Sequence, residues 1–382
     1  MGGDETQITD MNKKTIWVVV LAVILVILII RGINSSRQVA TTDEPIKIGV
    51  VNSLTGFAAP WGEFAKKAVD LAAKEINAGG GINGRQIQIV MEDDHTDGKT
   101  SVTAYNKLVS VDGVDGVLGG VFDFTALPLI PLAETNKTTL ITPQNFRIPG
   151  SFDLNDQSFV MMTDFSAVLE RLKLFISESK AKKVAVVHFT SAWGAEIAKT
   201  VGSISREVGK GAIMDEAYSQ LGNNDFKTTI SKLKSAGIEL VFIDMFGNDT
   251  VSFLNRAREQ GFNPTVITYN GALDGVENKN GLLDNIVVIN WEIAGPNFQE
   301  LFKAEYGMLP QKSAEKWFDA TYAMAYAIAN ATSTSGVAAY MQTHPITTPN
   351  STVIFTDVHT VSDIPVEIDI IKDGKLVKWV KK

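Results

Sequence analysis

The chain has 382 residues, with 35 Lys plus Arg against 43 Asp plus Glu, a net charge of −8 and no cysteine. The missing thiol excludes disulfides, cysteine nucleophiles, Cys zinc sites and a lipid anchor on a terminal Cys. The acidic balance argues against nucleic acid or an anionic membrane face as partner, while 45% hydrophobic residues suffice for one large or two medium packed domains.

Residues 16–30 are fifteen consecutive apolar residues, behind Lys13-Lys14 and before Arg31. At about 1.5 Å per residue the run reaches roughly 22 Å, so Thr15, Gly32 and Ile33 must join it to approach a bilayer core of about 30 Å. No small-x-small cleavage site follows, because Gln38 and Val39 precede Ala40. The run reads as an uncleaved single-pass signal anchor over 15–33 with a cytoplasmic tail of 1–14, in preference to a removed signal peptide. Either reading places the globular part outside the cytoplasm. Residues 34–45 read as a linker.

Residues 46–51 form an apolar, β-branched run without a polar face, as expected of a strand covered on both sides in a parallel sheet. A loop over 52–60 leads to Trp61. In the helix that follows, Phe64, Ala68, Leu71, Ala72 and Ile76 share one face, and Glu63, Lys66, Lys67, Asp70 and Lys74 take the other. Gly79-Gly80-Gly81 stops this helix before a strand at 86–91. Residues 79–84 satisfy G-x-G-x-x-G, but they follow a helix and open a strand, the reverse of a dinucleotide fingerprint.

The strand–helix alternation continues with a helix at 101–110, a strand at 116–121, a helix near 126–136 and a strand at 138–142. A second series starts at 183–188. It continues through a helix carrying Ile197, Val201, Ile204 and Val208, a strand near 212–218, a helix at 226–235, a strand at 240–243, a helix at 250–260 and a strand at 265–269. The two series match element for element, which predicts two similar parallel-sheet lobes. The chain is expected to cross between them near 162–165 and 289–292. Helices follow in 297–306 and 313–330, and the tail over 352–380 contains the hairpin signal Asp373-Gly374.

Chemistry-bearing clusters are few. Asp93, Asp94, His95 and Asp97 offer ligands for a hard cation; the competing reading, which is preferred, has them cap the next helix and line a cleft rim. The four His share no spacing with one another or with a serine, and no triad, paired-carboxylate or zinc-protease motif is present. Neither an enzyme activity nor a metal or cofactor is therefore assigned.

The segments IGVVNSLTG (48–56), WGE (61–63), EINAGGGINGR (75–85) and VMEDD (90–94) together resemble the opening of bacterial type I periplasmic binding proteins. The similar branch is that of leucine/isoleucine/valine receptors of ABC importers. The resemblance covers residue 46 to the C-terminus. It implies an α/β fold of two Rossmann-like lobes with parallel sheets joined by three crossovers, lobe one from 46–163 and 292–345, lobe two from 164–291 and 346–382. It also implies a monomeric solute receptor that closes on a small ligand between its lobes and delivers it to an ABC permease. A sensory ectodomain is the alternative, since the same fold serves signalling receptors.

Carried onto this chain, the resemblance places ligand-binding residues at Trp61, Phe122, Asp123, Thr125, Gln144, Phe146, Trp193, Phe246 and Asn270. It also exposes departures. Asp123 stands where the family uses a hydroxyl against the ligand carboxylate, and Phe146 where a Thr is expected. Asn270 replaces the acidic partner of the ligand ammonium, and Trp193 and Phe246 replace cleft tyrosines. A carboxylate at 123 would repel a ligand carboxylate, unless Asp123 only caps the helix behind it. The expected ligand is accordingly not a zwitterionic aliphatic amino acid but a cationic, amide or hydroxylated molecule with an apolar face.

Overall fold

The computed structural model describes residues 44–143, 153–162, 165–222, 224–273, 275–291, 295–311, 313–361 and 365–380. The expected membrane anchor and the predicted site residues Gln144 and Phe146 lie outside them. Among the described residues no helix is long and apolar enough to cross a membrane.

The first lobe begins with β1 (Ile46–Asn52), α1 (Ala59–Ala78) and β2 (Ile87–Asp93). It continues with α2 (Gly98–Lys107), β3 (Gly116–Gly119), the short α3 (Asp123–Ala126), α4 (Ile130–Asn136), β4 (Leu140–Thr142) and β5 (Ser158–Val160). These strands form one parallel sheet in the order β2-β1-β3-β4-β5. Every residue of β1 but one is buried, because helices cover both faces of the sheet. The glycine run after α1 acts as predicted: the helix ends at Gly79, and Gly80 and Gly81 carry the turn at positive φ. Asp97 caps α2 by accepting from the backbone N–H groups of Lys99 and Thr100.

The chain then enters a second lobe. It comprises α5 (Ser166–Glu178), β6 (Val184–Phe189), α6 (Ala192–Glu207), β7 (Met214–Tyr218) and α7 (Lys227–Ala236). It goes on through β8 (Leu240–Asp244), α8 (Asn248–Glu259), β9 (Thr265–Tyr269) and β10 (Val287–Trp291). The helix α5 and the strand β5 were not read from the sequence. Yet α5 buries Val168, Leu172, Phe175 and Ile176, an apolar face at helical spacing.

After β10 the chain rejoins the first lobe as α9 (Pro296–Tyr306), α10 (Ala314–Asn330), α11 (Val337–Thr343) and a small antiparallel pair, β11 (Ile346–Thr347) with β12 (Thr352–Val353). The helix α10 is buried nearly all round and packs on α1, β1 and β3. Asp319, within it, accepts from the Thr348 hydroxyl (2.6 Å), the Asn350 amide (3.1 Å) and the Ser351 hydroxyl (2.9 Å). This ties the β11–β12 pair to α10, and Ile346, Val353 and Phe355 join the core around Trp317 and Phe318. Residues 346–355 thus pack with the first lobe, although the sequence reading put its boundary at 345.

The tail enters the second sheet only with β13 (Val366–Lys372), followed by β14 (Lys375–Lys378). That sheet runs β14-β13-β10-β9-β8-β6-β7. It is mixed rather than wholly parallel, because β13 and β14 form an antiparallel edge. Asp373 and Gly374 both take positive φ between the paired Lys372 and Lys375, as a two-residue hairpin turn requires. The first and third passages between lobes run side by side: Val160 bridges Thr360, and the ring of His359 stacks on Phe159 at 4.6 Å.

Trp317, fully buried in the core beneath α10, tests this packing. Trp317→Ala should lower the unfolding free energy by about 3–5 kcal/mol, read from urea denaturation of the full chain.

Candidate functional site

Both sheets direct strand carboxyl ends at the same cleft, where open α/β sheets expose loops and helix N-termini instead of covered backbone. A cavity of about 100 Å³ lies there. The first lobe lines it with Phe57 and Trp61 after β1, Val121–Phe124 after β3, and Ser313 before α10. The second lobe adds Phe189, Ser191 and Trp193 after β6, Leu221 after β7, Asp244 and Phe246 at the end of β8, Tyr269 and Gly271 at the end of β9, and Trp291 at the end of β10.

The aromatic rings form a continuous wall across the two lobes. Trp61 meets Phe122 edge-on at 5.6 Å, Phe122 stacks on Phe124 at 5.7 Å, and Phe122 lies 5.0 Å from Phe246 of the other lobe. Trp193 sits edge-on to Phe165 at 4.9 Å, and Tyr269 stacks on Trp291 at 5.8 Å. Gly120 makes the first part of this wall possible. Its φ is +81°, and a Cβ there would fall 2.3 Å from Ala126, so only glycine lets β3 turn this sharply into the site.

Asp123 is where the lobes meet. Its Oδ2 accepts from the backbone N–H of Trp193 at 3.0 Å, in the first turn of α6, and its carboxylate also hydrogen-bonds the Ser191 side chain. The sequence reading offered either a ligand-facing carboxylate or a cap on the helix behind it. The structure shows a cap on the helix in front, in the opposite lobe. Burial pushes the Asp123 carboxyl above its ordinary range, and the Trp193 and Ser191 bonds oppose that shift.

A second carboxylate stands in the wall. Asp244 is 1% exposed and accepts from the hydroxyl of Tyr269. The Trp193 side chain, whose only donor is the indole N–H, hydrogen-bonds both Asp244 and Tyr269. Burial raises the Asp244 carboxyl to about 6 from an ordinary 3.8, and the nearby negative charge of Asp123 adds to the rise. Burial and the Asp244 charge together drive the Tyr269 hydroxyl well above its usual range, so it stays a donor.

Of the predicted site residues, Trp61, Phe122, Asp123, Trp193 and Phe246 come together around the cavity. Thr125 does not line it. That side chain is fully buried, and its hydroxyl donates to the Phe122 carbonyl at 3.0 Å, closing the first turn of α3. Asn270 does not line it either, because its amide donates to Asn290 Oδ1 (2.9 Å) and the Trp291 carbonyl (3.2 Å).

Asp244, Tyr269 and Trp291 were missed. Each closes a β-branched, largely apolar strand at its carboxyl end (LVFID, TVITY, VVINW), a polar or amphipathic residue at the sheet end that lines the cavity. The acidic cluster near Asp93 serves the local backbone: Asp93 accepts from the backbone N–H groups of Leu54 (3.0 Å) and His95 (2.8 Å), and Asp94 from that of Thr96 (2.8 Å). Among the described residues no three His, Asp or Glu gather as metal ligands.

Residues 45–366 match the sequence profile of the periplasmic binding protein family. The leucine-, isoleucine-, valine-, threonine- and alanine-binding protein of Pseudomonas aeruginosa is 29% identical over 239 residues, 61% of this chain and 61% of that protein. The chain thus spans about three-fifths of the length of such curated relatives. Among solved structures, the branched-chain amino acid transporter substrate-binding protein LivJ of Streptococcus pneumoniae, in complex with isoleucine, superposes with a TM-score of 0.75 at 23% identity. That match covers 87% of this chain and 97% of LivJ. A solute-binding protein of an ABC transporter from R. palustris, in complex with benzoate, superposes equally well: the TM-score is 0.75 at 18% identity, covering 87% and 95% of the two chains. At these identities the superpositions describe the fold alone.

The buried Asp244 generates a signed pH test. Its folded pKa lies above the unfolded one, so the favourable contribution of the protonated form is lost as pH rises from about 4 through 6. Asp244→Asn keeps the acceptor for Tyr269 and removes the ionisation. Relative to wild type, the variant should therefore gain stability between pH 4 and 7, by on the order of 3 kcal/mol, measured by urea denaturation at each pH.

Proposed function

This chain belongs to the periplasmic binding protein family, in its type I leucine/isoleucine/valine-receptor branch, and we propose that it is the solute receptor of an ABC importer. The observation that carries the reading is the cavity itself. It lies between lobes, takes its wall from strand ends of both, and is apolar with a few convergent polar groups, as small-molecule sites are. The receptor works as a monomer and presents its closed form to the permease subunits. An uncleaved anchor over 15–33 holds it to the membrane with the lobes outside the cytoplasm, a reading supported by the apolar run at 16–30.

Binding between lobes favours whichever interlobe arrangement contacts the ligand from both sides, and the shift is set by the difference in affinity between open and closed forms. By the order of the strands, three passages of chain run between the two sheets, after β5, after β10 and before β13. They can take up a rotation without disturbing either core. Asp123 and Trp193 would then act as the polar link that forms on closure.

Closure and binding are testable together. A ligand that saturates the protein in calorimetry should reduce the radius of gyration in small-angle scattering. Trp193→Ala, which removes a ring from the wall and the donor shared by Asp244 and Tyr269, should weaken that ligand about tenfold or more. Unchanged affinity in this variant would place the site elsewhere. Edman sequencing of protein from native membranes should find no new N-terminus between Ser35 and Asp43.

A further inference from the structure

Resting on the receptor reading, we propose that the solute is an organic cation, an amine or quaternary ammonium compound, whose positive centre lies between the carboxylates of Asp123 and Asp244 and against the surrounding aromatic rings. The two carboxylates come from different lobes and line the same cavity. Among the described residues, no Lys, Arg or His shares that wall. His188, register partner of Asp244 on the adjacent strand β6, acts on that carboxylate by its charge from outside the wall, while its Nε2 lies 3.0 Å from Asp215 Oδ1.

The partners of both carboxylates in the wall are neutral. Asp123 takes the Trp193 backbone N–H and Ser191; Asp244 takes the Tyr269 hydroxyl and the Trp193 indole. Neutral donors satisfy lone pairs without cancelling charge, and the His188 charge reaches Asp244 but is not among the causes of the Asp123 shift. A cation beside Asp244 favours its ionised form against the burial that raises the carboxyl. A ligand cation supplies a positive charge that the described residues of the wall do not.

The rings fit the same chemistry. Trp61, Phe122, Phe246, Trp193, Tyr269 and Trp291 present π systems from both lobes, and ring faces attract ammonium groups more strongly once water is excluded. A ligand carboxylate has the opposite fate. The N-terminus of α6 is one place in this wall where backbone N–H groups and the helix dipole would receive an anion, and Asp123 already occupies it. An anionic or zwitterionic solute would bring its carboxylate towards two others.

The test is calorimetry of the full chain with tetramethylammonium, butylammonium, uncharged 1-butanol, leucine and benzoate. The expected result is binding of a cation and not of its uncharged counterpart. Asp244→Asn should weaken that cation about thirtyfold or more. Phe246→Leu, which keeps an apolar side chain and removes a ring face, should weaken it several-fold and serves if Asp244→Asn fails to fold. Leucine or benzoate binding in place of the cations overturns the charge assignment and leaves the receptor reading intact; so does 1-butanol binding as tightly as butylammonium. Should no compound of the panel bind, mass spectrometry of small molecules released from the purified, denatured protein decides. An amine supports the proposal, and an anion, zwitterion or neutral solute overturns it. If nothing binds and nothing is released, the receptor reading falls as well.

Discussion

The carboxylate of Asp123 spans the cleft from the first residue of α3 in one lobe to the first turn of α6 in the other. Charge-assisted bonds of this kind contribute on the order of 1.5–3 kcal/mol where they are shielded from water, and the helix N-terminus adds a favourable dipole. Burial opposes the charge, so the link is a balance that responds to whatever else enters the cavity. The register of the aromatic wall depends on it. Across the lobe boundary Phe122 lies 5.0 Å from Phe246, which joins the apolar surfaces of the two lobes.

Trp193 carries the consequence from backbone to side chain. Its N–H holds Asp123, and its indole holds Asp244 and Tyr269, so one residue connects both carboxylates of the site. Because burial and the Asp123 charge raise the proton affinity of Asp244, its ionisation is disfavoured, and the Tyr269 and Trp193 hydrogen bonds offset part of that cost. The arrangement suits a receptor: the polar groups are positioned by strand ends and a helix terminus, while the apolar rings set the shape.

The scaffold that presents these groups is stabilised away from them. Each sheet has its own buried clusters, and α10 seals the first lobe with Trp317 and Phe318. Asp319 pins residues 348–351 to the same helix, which keeps the third passage between lobes in register beside the first.

Periodicity was enough to read most of this fold. Fully apolar strands alternating with amphipathic helices imply parallel sheets, because no other layer architecture buries both faces of a strand. The glycine run after α1 and the Asp373-Gly374 hairpin follow from local backbone sterics that operate in any context. The aromatic character of the cleft was legible for the same reason, since the rings follow strand ends. Strand β5 was too short to show a period, and α5 was overlooked although it has one. What local chemistry could not decide was pairing at a distance. Asp123 is a helix-capping residue by its sequence neighbourhood, but the helix it caps is 70 positions away and in the other lobe. Thr125 and Asn270 have side chains suited to ligand, and their own neighbours consume them. Asp244 looks in sequence like the polar end of a strand, and it becomes a buried second carboxylate only because folding brings Tyr269 and Trp193 over it. Local preferences act through bonded neighbours and are written into the sequence. Desolvation and charge pairing act through space, and only the tertiary structure sets them.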